Sequence, residues 1–269
     1  MTGLLRNGSY YRTKVQTIAE EISRDDMVDH WFLMESIYPV LTLAASYLAF
    51  TQLGPKFMEK RKPFKVKGLV LVHNFMQIVF NSYLVSLLFT TPNGMSALLE
   101  NNCSLAESTH PLYYTLCKVA WYYFMTKVYD LMDTVFFVLR KKNSNVSFLH
   151  VYHHANMLLS TWAYLKYIRA DQGVLMGALN CFVHIVMYTY YFLSALGPSV
   201  QKYLWWKSYV TKLQILQFGM VFFYASSFLV SNCVQSKILT YYSLFQAVTF
   251  GILFGEFYRR AYIDKKKEQ

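Results

Sequence analysis

Residues 174–195 read VLMGALNCFVHIVMYTYYFLSA, an apolar run without lysine, arginine, aspartate or glutamate. A helix of about 20 residues crosses the hydrocarbon core of a bilayer, so this run predicts a membrane-spanning helix. Its polar side chains share one helical face, because Asn180, Tyr188 and Tyr191 lie four or seven residues from His184. An ionisable group inside a membrane usually faces a functional interior, so this stripe is expected to point away from lipid.

The whole chain repeats this apolar pattern. Its 269 residues are 55% hydrophobic and only 15% charged, which is typical of a polytopic membrane protein and unlike an ordinary soluble domain. We predict an all-α fold of seven transmembrane helices that form a single integral membrane domain over residues 1–269. The predicted spans lie near residues 31–53, 68–90, 113–139, 148–168, 174–195, 210–230 and 238–258. The third span is long enough to tilt or to contain a break.

The net charge of +11 is concentrated in basic nodes between the apolar runs. Nucleic acid attracts such charge, but the alternation with apolar runs fits the positive-inside rule better, and we expect no nucleic-acid partner. With the nodes in the cytosol, residues 1–30 are lumenal and the tail over residues 259–269 is cytosolic.

Two predicted lumenal loops, residues 91–112 and 231–237, contain one cysteine each, Cys103 and Cys233. An oxidising compartment favours a disulfide between them.

Other sequence signals agree with this orientation. Asn7 and Asn102 stand in sequons on the lumenal side and are candidates for glycosylation. Lys266 and Lys267 are fourth and third from the end, a spacing that resembles the dilysine retrieval signal of endoplasmic reticulum proteins. We therefore expect a multi-pass protein of the endoplasmic reticulum membrane.

A histidine cluster begins the fourth span, where residues 150–154 read His-Val-Tyr-His-His. Positions i, i+3 and i+4 share a helical face, so we expect the imidazoles of His150, His153 and His154 to point the same way. Because polar groups are costly in an apolar medium, the cluster is expected to hold a metal, a proton or an acyl group.

Two further spans present polar side chains on one face. Lys127, Asp130 and Thr134 lie at i, i+3 and i+7 in the third span, and Lys127 can pair with Asp130 in a functional or purely structural ion pair. Gln214 and Gln217 lie at i and i+3 in the sixth span. The simplest arrangement is a bundle of helices around a polar cavity.

Three interpretations compete for the histidines. A di-iron centre, as in membrane desaturases and hydroxylases, needs about eight imidazoles, whereas this chain has seven histidines, of which we place two outside the spans. A single zinc ion is an alternative, although the nitrogens of adjacent histidines diverge. The second interpretation is a transporter or a receptor with a polar core. The third is metal-free catalysis, with imidazole as nucleophile and general base.

Five ordered motifs resemble those of the very-long-chain fatty acid elongase (ELO) family of 3-oxoacyl-CoA synthases. The resemblance extends from Leu53-Gly54-Pro55 to the basic tail. The sequence departs from the family at one position, because Asp130 stands where the K-x-x-E-x-x-D-T motif usually has glutamate. Aspartate keeps the negative charge, but its side chain is shorter. The motifs are Lys127 to Thr134, Phe137 to Lys142, Asn143 to His154, Asn180 to Tyr191 and Thr211 to Phe218.

The resemblance implies a condensing enzyme without a bound metal or cofactor, in which six of the seven helices surround an acyl-chain tunnel. It would join a long-chain acyl-CoA to malonyl-CoA, giving 3-oxoacyl-CoA, CoA and carbon dioxide, in very-long-chain fatty acid biosynthesis. His153 is the implied acyl carrier, and His184 is the candidate for assisting decarboxylation or stabilising the enolate. His150 and His154 would orient or tune His153.

The resemblance also implies substrate contacts and partners. Lys142 and Lys202 would meet the CoA phosphates at the cytosolic mouth. Expected partners are the ketoacyl-CoA reductase, dehydratase and enoyl-CoA reductase of the elongation cycle, and a homodimer is an option. The alternatives to elongation are a metal-dependent membrane fatty acid desaturase or hydroxylase and a non-enzymatic lipid transporter. The residues expected to line the site are Lys127, Asp130, Asn180, Tyr188, Tyr191, Gln214 and Gln217.

Overall fold

A computed structural model describes residues 27–99, 110–169, 173–230 and 237–264, and these ranges contain helices and no β-strand. Short 3₁₀ turns lie at Met27–His30 and Asn143–Asn145, and a π-helical turn at Arg259–Asp264 follows the last α-helix. The α-helices are α1 (Tyr38–Met58), α2 (Lys67–Thr90), α3 (Gly94–Leu99), α4 (Tyr113–Asp130), α5 (Met132–Leu139), α6 (Phe148–Tyr167), α7 (Val174–Leu196), α8 (Pro198–Gln201), α9 (Lys207–Val230) and α10 (Lys237–Tyr258).

A helix lies at each predicted span, and the third span is interrupted at Leu131, where α4 ends and α5 begins. Within the described ranges, α2, α7 and α9 are long and apolar enough to cross a membrane. Helices α4 and α6 carry the charged and imidazole side chains of the polar motifs, which reduce their hydropathy. The all-helical prediction is confirmed for the described residues.

Helix α2 shows a distribution of polarity that suits a membrane. Its polar side chains His73 and Gln77 are 2% and 0% exposed, whereas the apolar side chains Leu69 and Val72 are 61% and 60% exposed. In water this arrangement would leave apolar surface solvated and desolvate polar groups, both of which are unfavourable. In a bilayer, the same arrangement places apolar side chains against lipid and polar side chains in the protein interior.

The helices pack in an order that closes a ring. Helix α2 lies along α7, α7 contacts α9, and α9 lies along α10. Helix α10 contacts α6, α6 packs on α4, and α4 returns to α2. Helix α1 stands outside this ring and packs on α6 and α5. Within the ring, α2, α4 and α7 contact one another, so polar side chains from these three helices can meet.

Gly54 permits a close approach between α1 and α5. A Cβ added at Gly54 would lie 3.0 Å from Val138 Cγ1. Overpacking typically costs about 1–3 kcal/mol, more than the 0.5–1 kcal/mol or so that alanine gains over glycine within a helix. We therefore expect Gly54→Ala to lower the thermal midpoint of the protein in detergent.

Gly251→Ala in α10 is the matched control, because a Cβ there meets no atom within 4 Å. We expect its midpoint to equal or exceed that of the unsubstituted protein. A Gly54→Ala midpoint that rises with the control would contradict the close approach of α1 and α5.

Candidate active site

A buried ion pair near the end of α4 forms the centre of the candidate site. Lys127 Nζ donates to Asp130 Oδ2 at 3.1 Å, and the two side chains are 1% and 2% exposed. Lys127 Nζ also donates to Asn180 Oδ1 at 2.9 Å and lies 3.5 Å from His184 Nδ1 on α7. The structure thus joins two polar faces, of α4 and α7, that were predicted separately.

Tyr123 completes the surroundings of the lysine. Its hydroxyl donates to Asn180 Oδ1 at 2.9 Å, and Lys127 Nζ lies 4.8 Å from the centre of its ring. A carboxylate, an amide oxygen and an aromatic face therefore all hold the ammonium group, and each interacts favourably with a cation.

A second buried carboxylate is linked to the first through Tyr188. The Tyr188 hydroxyl lies 3.0 Å from Asp130 Oδ1 and 2.7 Å from Asp133 Oδ2. On the far side, Asp133 Oδ1 lies 3.0 Å from His73 Nε2. The network therefore runs from α7 through α4 and α5 to α2.

Helix α2 contributes residues that the predicted site did not include. Gln77 Nε2 donates to Asp130 Oδ1, and Asn81 Nδ2 donates to Gln77 Oε1 at 3.3 Å. The signal for these residues is present in the sequence, because His73, Gln77 and Asn81 lie at i, i+4 and i+8 of an apolar run and so share one face.

His150 and His154 face α5 and α1. His150 Nε2 lies 2.8 Å from Thr134 Oγ1, and the same hydroxyl lies 3.1 Å from Tyr47 Oη on α1. The two imidazole rings are 4.3 Å apart between centroids, and His154 is buried with its ring 6.4 Å from that of Tyr47. Both histidines are therefore held by neighbouring helices.

His153 faces α10. Its partly buried ring lies 5.1 Å from that of Phe250 and 6.2 Å from that of Phe254. No side chain in the described ranges hydrogen-bonds this ring, which lies 5.6 Å from the ring of His154 between centroids. The three imidazoles therefore do not share one set of neighbours, because His153 contacts α10 whereas His150 contacts α5 and His154 contacts α1.

Three predicted lining residues make no hydrogen bond to this network among the described residues. Gln214 Nε2 lies 3.4 Å from Met187 Sδ, and Gln217 is buried in α9. Tyr191 is 38% exposed and meets the ring of Tyr188 edge-on, with 5.9 Å between centroids. In the described part of the chain, no group of three or more His, Cys, Asp or Glu side chains is arranged to hold a metal ion.

The two basic residues predicted for the mouth are exposed. Partial desolvation of its ammonium group, together with repulsion by the nearby Arg140 and Lys207, lowers the pKa of Lys142. Lys202 Nζ lies 4.9 Å from the centre of the Tyr203 ring. Lys142 thus belongs to a basic cluster drawn from two segments of the chain.

Other predicted features lie outside the described residues and stay predictions. They are the Cys103–Cys233 disulfide, glycosylation at Asn7 and Asn102, and the retrieval signal at Lys266 and Lys267.

Comparison with known sequences gives a consistent result. Residues 32–269 match the family described as ELO, GNS1/SUR4. The human very long chain fatty acid elongase 4 is 37% identical over 244 residues, which cover 90% of this chain and 77% of that protein. The rat elongase 7 is 38% identical over 242 residues, covering 88% and 85% of the two chains. An Aedes aegypti elongase is 39% identical over 251 residues, covering 91% and 69%.

Proposed function

This chain belongs to the GNS1/SUR4 (ELO) family, and from that premise we propose that it is a very-long-chain fatty acid elongase acting through an acyl-imidazole on His153. It condenses a long-chain acyl-CoA with malonyl-CoA, giving 3-oxoacyl-CoA, CoA and carbon dioxide. One observation carries the assignment of the nucleophile. The His153 ring lacks a hydrogen-bonded side chain among the described residues and lies 5.1 Å from the ring of Phe250 and 5.6 Å from that of His154, between centroids.

In the first half-reaction, an imidazole nitrogen of His153 attacks the thioester carbonyl of the acyl-CoA. The carbon–sulfur bond breaks, the imidazole gives up its proton, and CoA leaves as the thiol. Neutral imidazole suits this step, because it is nucleophilic near pH 7 and is a good leaving group once acylated. Phe250 and Phe254 give His153 apolar neighbours that are compatible with an acyl chain.

In the second half-reaction, malonyl-CoA loses carbon dioxide, and the electrons of the broken carbon–carbon bond form an enolate. The enolate carbon attacks the acyl carbonyl, the bond to His153 breaks, and the imidazole takes up one proton from the solvent, which the overall reaction consumes. Lys127 Nζ lies 3.5 Å from His184 Nδ1, so a positive charge adjoins the imidazole that we assign to the enolate oxygen. Fixed charge in a water-poor site is an effective way to stabilise such an anion.

The ring formed by α2, α4, α6, α10, α9 and α7 supports a further part of the proposal. We place the acyl chain inside this ring, with α1 as a seventh, peripheral membrane helix. The protein is oriented in the endoplasmic reticulum membrane with its N-terminus in the lumen and its C-terminus in the cytosol. Because the 3-oxo product needs reduction, dehydration and a second reduction, enzymes of those reactions are the expected partners.

Membranes that contain the protein, labelled malonyl-CoA and a series of acyl-CoAs of increasing length provide the test. The proposal predicts label in 3-oxoacyl-CoA together with release of carbon dioxide. Iron-dependent oxidation of a lipid without malonyl incorporation would favour the desaturase alternative. Lipid transport without CoA turnover would favour the transporter.

Lys142 is expected to contribute to CoA binding through charge. Replacing it by methionine should raise the KM for both CoA substrates several-fold and leave kcat near that of the unsubstituted enzyme, because the lost interaction is the same in ground and transition states. The difference in KM between Lys142→Met and the unsubstituted enzyme should become smaller as salt is added. Since the pKa of Lys142 is lowered, its charge is lost at a lower pH than that of an ordinary lysine. As the pH rises, the KM values of the unsubstituted enzyme should therefore approach those of Lys142→Met.

Lys118→Met is the control, because Lys118 is exposed on α4. Its KM values should match those of the unsubstituted enzyme. Equal KM values for Lys142→Met and Lys118→Met would remove Lys142 from the CoA site.

A further inference from the structure

Gln77 reaches into the buried network from α2. Its side chain is 0% exposed, and its Nε2 donates to Asp130 Oδ1. The orientation of the amide is fixed from behind, because Asn81 Nδ2 donates to Gln77 Oε1 at 3.3 Å and to the Gln77 carbonyl at 2.8 Å. With its oxygen held by Asn81, the amide of Gln77 presents its nitrogen to the carboxylate.

The two oxygens of Asp130 have different partners. Oδ1 lies against Gln77 Nε2 and, at 3.0 Å, the hydroxyl of Tyr188. Oδ2 lies 3.1 Å from Lys127 Nζ and 3.9 Å from His184 Nδ1. Because the terminal torsion of aspartate has broad minima, the rotation of the carboxylate is set by its partners. The donors on Oδ1 therefore determine where Oδ2 points.

We propose that Gln77 is a positioning residue that forms one length-matched unit with Asp130. The Gln77 amide on α2 and the Asp130 carboxylate on α4 meet at hydrogen-bond distance, so the combined length of the two side chains matches the gap between the helices. The unit holds Oδ2 where it keeps Lys127 Nζ beside His184. This inference rests on the proposed function, because it places Gln77 behind the groups assigned to the malonyl half-reaction.

An exchange of one methylene between the partners tests the length match. Gln77→Asn withdraws the amide by one methylene, and Asp130→Glu advances the carboxylate by one. We expect each single variant to lower kcat for condensation about tenfold, the scale of one hydrogen bond to a charged group, with KM changed less than about twofold. The double variant should recover to within about threefold of the unsubstituted enzyme. Losses that multiply in the double variant would overturn the proposal.

Gln77→Met gives a second test that does not depend on the double variant folding. Methionine has a similar length but no donor, and its effect can be divided between the half-reactions. Release of CoA from acyl-CoA without malonyl-CoA should stay at the level of the unsubstituted enzyme, because no hydrogen bond connects Gln77 to His153 among the described residues. Condensation should fall about tenfold. Equal loss of both half-reactions, or of neither, would overturn the positioning role.

Gln201→Met is the control for the glutamine substitution, because Gln201 is exposed and its amide donates to Ser194 O at 2.9 Å. Both half-reactions should be unchanged in it.

Failure of the proposed function can be distinguished from failure of the positioning role of Gln77. An unsubstituted protein without condensation would refute elongation before any variant is compared. Condensation without CoA release from acyl-CoA alone would refute the acyl-imidazole, while the methylene exchange would still decide the role of Gln77.

Discussion

His153→Ala is expected to make no 3-oxoacyl-CoA, with turnover below about one thousandth of the unsubstituted enzyme. The reason is chemical, since alanine cannot carry the acyl group between the half-reactions. The fold should survive, because the imidazole is only partly buried and no described side chain hydrogen-bonds it. The measurement is label transferred from malonyl-CoA to product, with the thermal midpoint in detergent measured on the same preparation.

His30→Ala is the matched control, because His30 is exposed in the 3₁₀ turn that precedes α1. It should keep full turnover. The turnover of His150→Ala should lie between those of His153→Ala and His30→Ala, because His150 contacts Thr134 and acts through its neighbours. Persistent turnover in folded His153→Ala would refute the nucleophile.

Lys127→Met is expected to have the largest effect on stability. Lys127 is the ammonium group that balances the Asp130 carboxylate in a pair that is almost fully buried. Removing one partner of a buried ion pair leaves an uncompensated charge and typically costs about 3–5 kcal/mol. We therefore expect a large fall in the thermal midpoint together with loss of condensation.

Lys118→Met, on the exposed face of the same helix, should leave the midpoint close to that of the unsubstituted protein. A second variant separates structural from catalytic roles. Lys127→Met with Asp130→Asn removes both charges, so stability should largely return while condensation stays lost. Recovery of condensation together with stability would reduce Lys127 to a structural partner.

The helices were readily predicted because hydropathy is a local property of the chain. The run at residues 174–195 coincides with α7 to within one residue, and the long third span contains the break at Leu131 that its length allowed. The order of packing is not local. That α2 lies along α7, and α9 along α10, depends on tertiary contacts that no single run encodes.

Spacing in the sequence predicted which polar residues share a helical face, but it did not predict which of those faces meet. Asn180 and His184 meet Lys127, as two facing stripes would. Gln214 and Gln217 also share a spacing, yet Gln214 contacts Met187 instead. Spacing within a helix fixes which residues share a face, whereas only packing fixes what that face meets.

Asp133 and Thr134 show the same limit at adjacent positions. Asp133 contacts Tyr188 and His73, whereas Thr134 contacts His150 on another helix. Both belong to the motif that runs from Lys127 to Thr134. The direction in which each side chain leaves α5 separates their roles.

The acyl-imidazole is tested most directly by trapping it. Purified protein is incubated with a long-chain acyl-CoA without malonyl-CoA, released CoA is quantified, and the peptides containing residues 148–167 are analysed by mass spectrometry. The proposed mechanism predicts about one equivalent of CoA per active protein and the mass of the acyl group on His153. Condensation that proceeds on addition of malonyl-CoA, without prior CoA release and without an acyl group on His153, would contradict it.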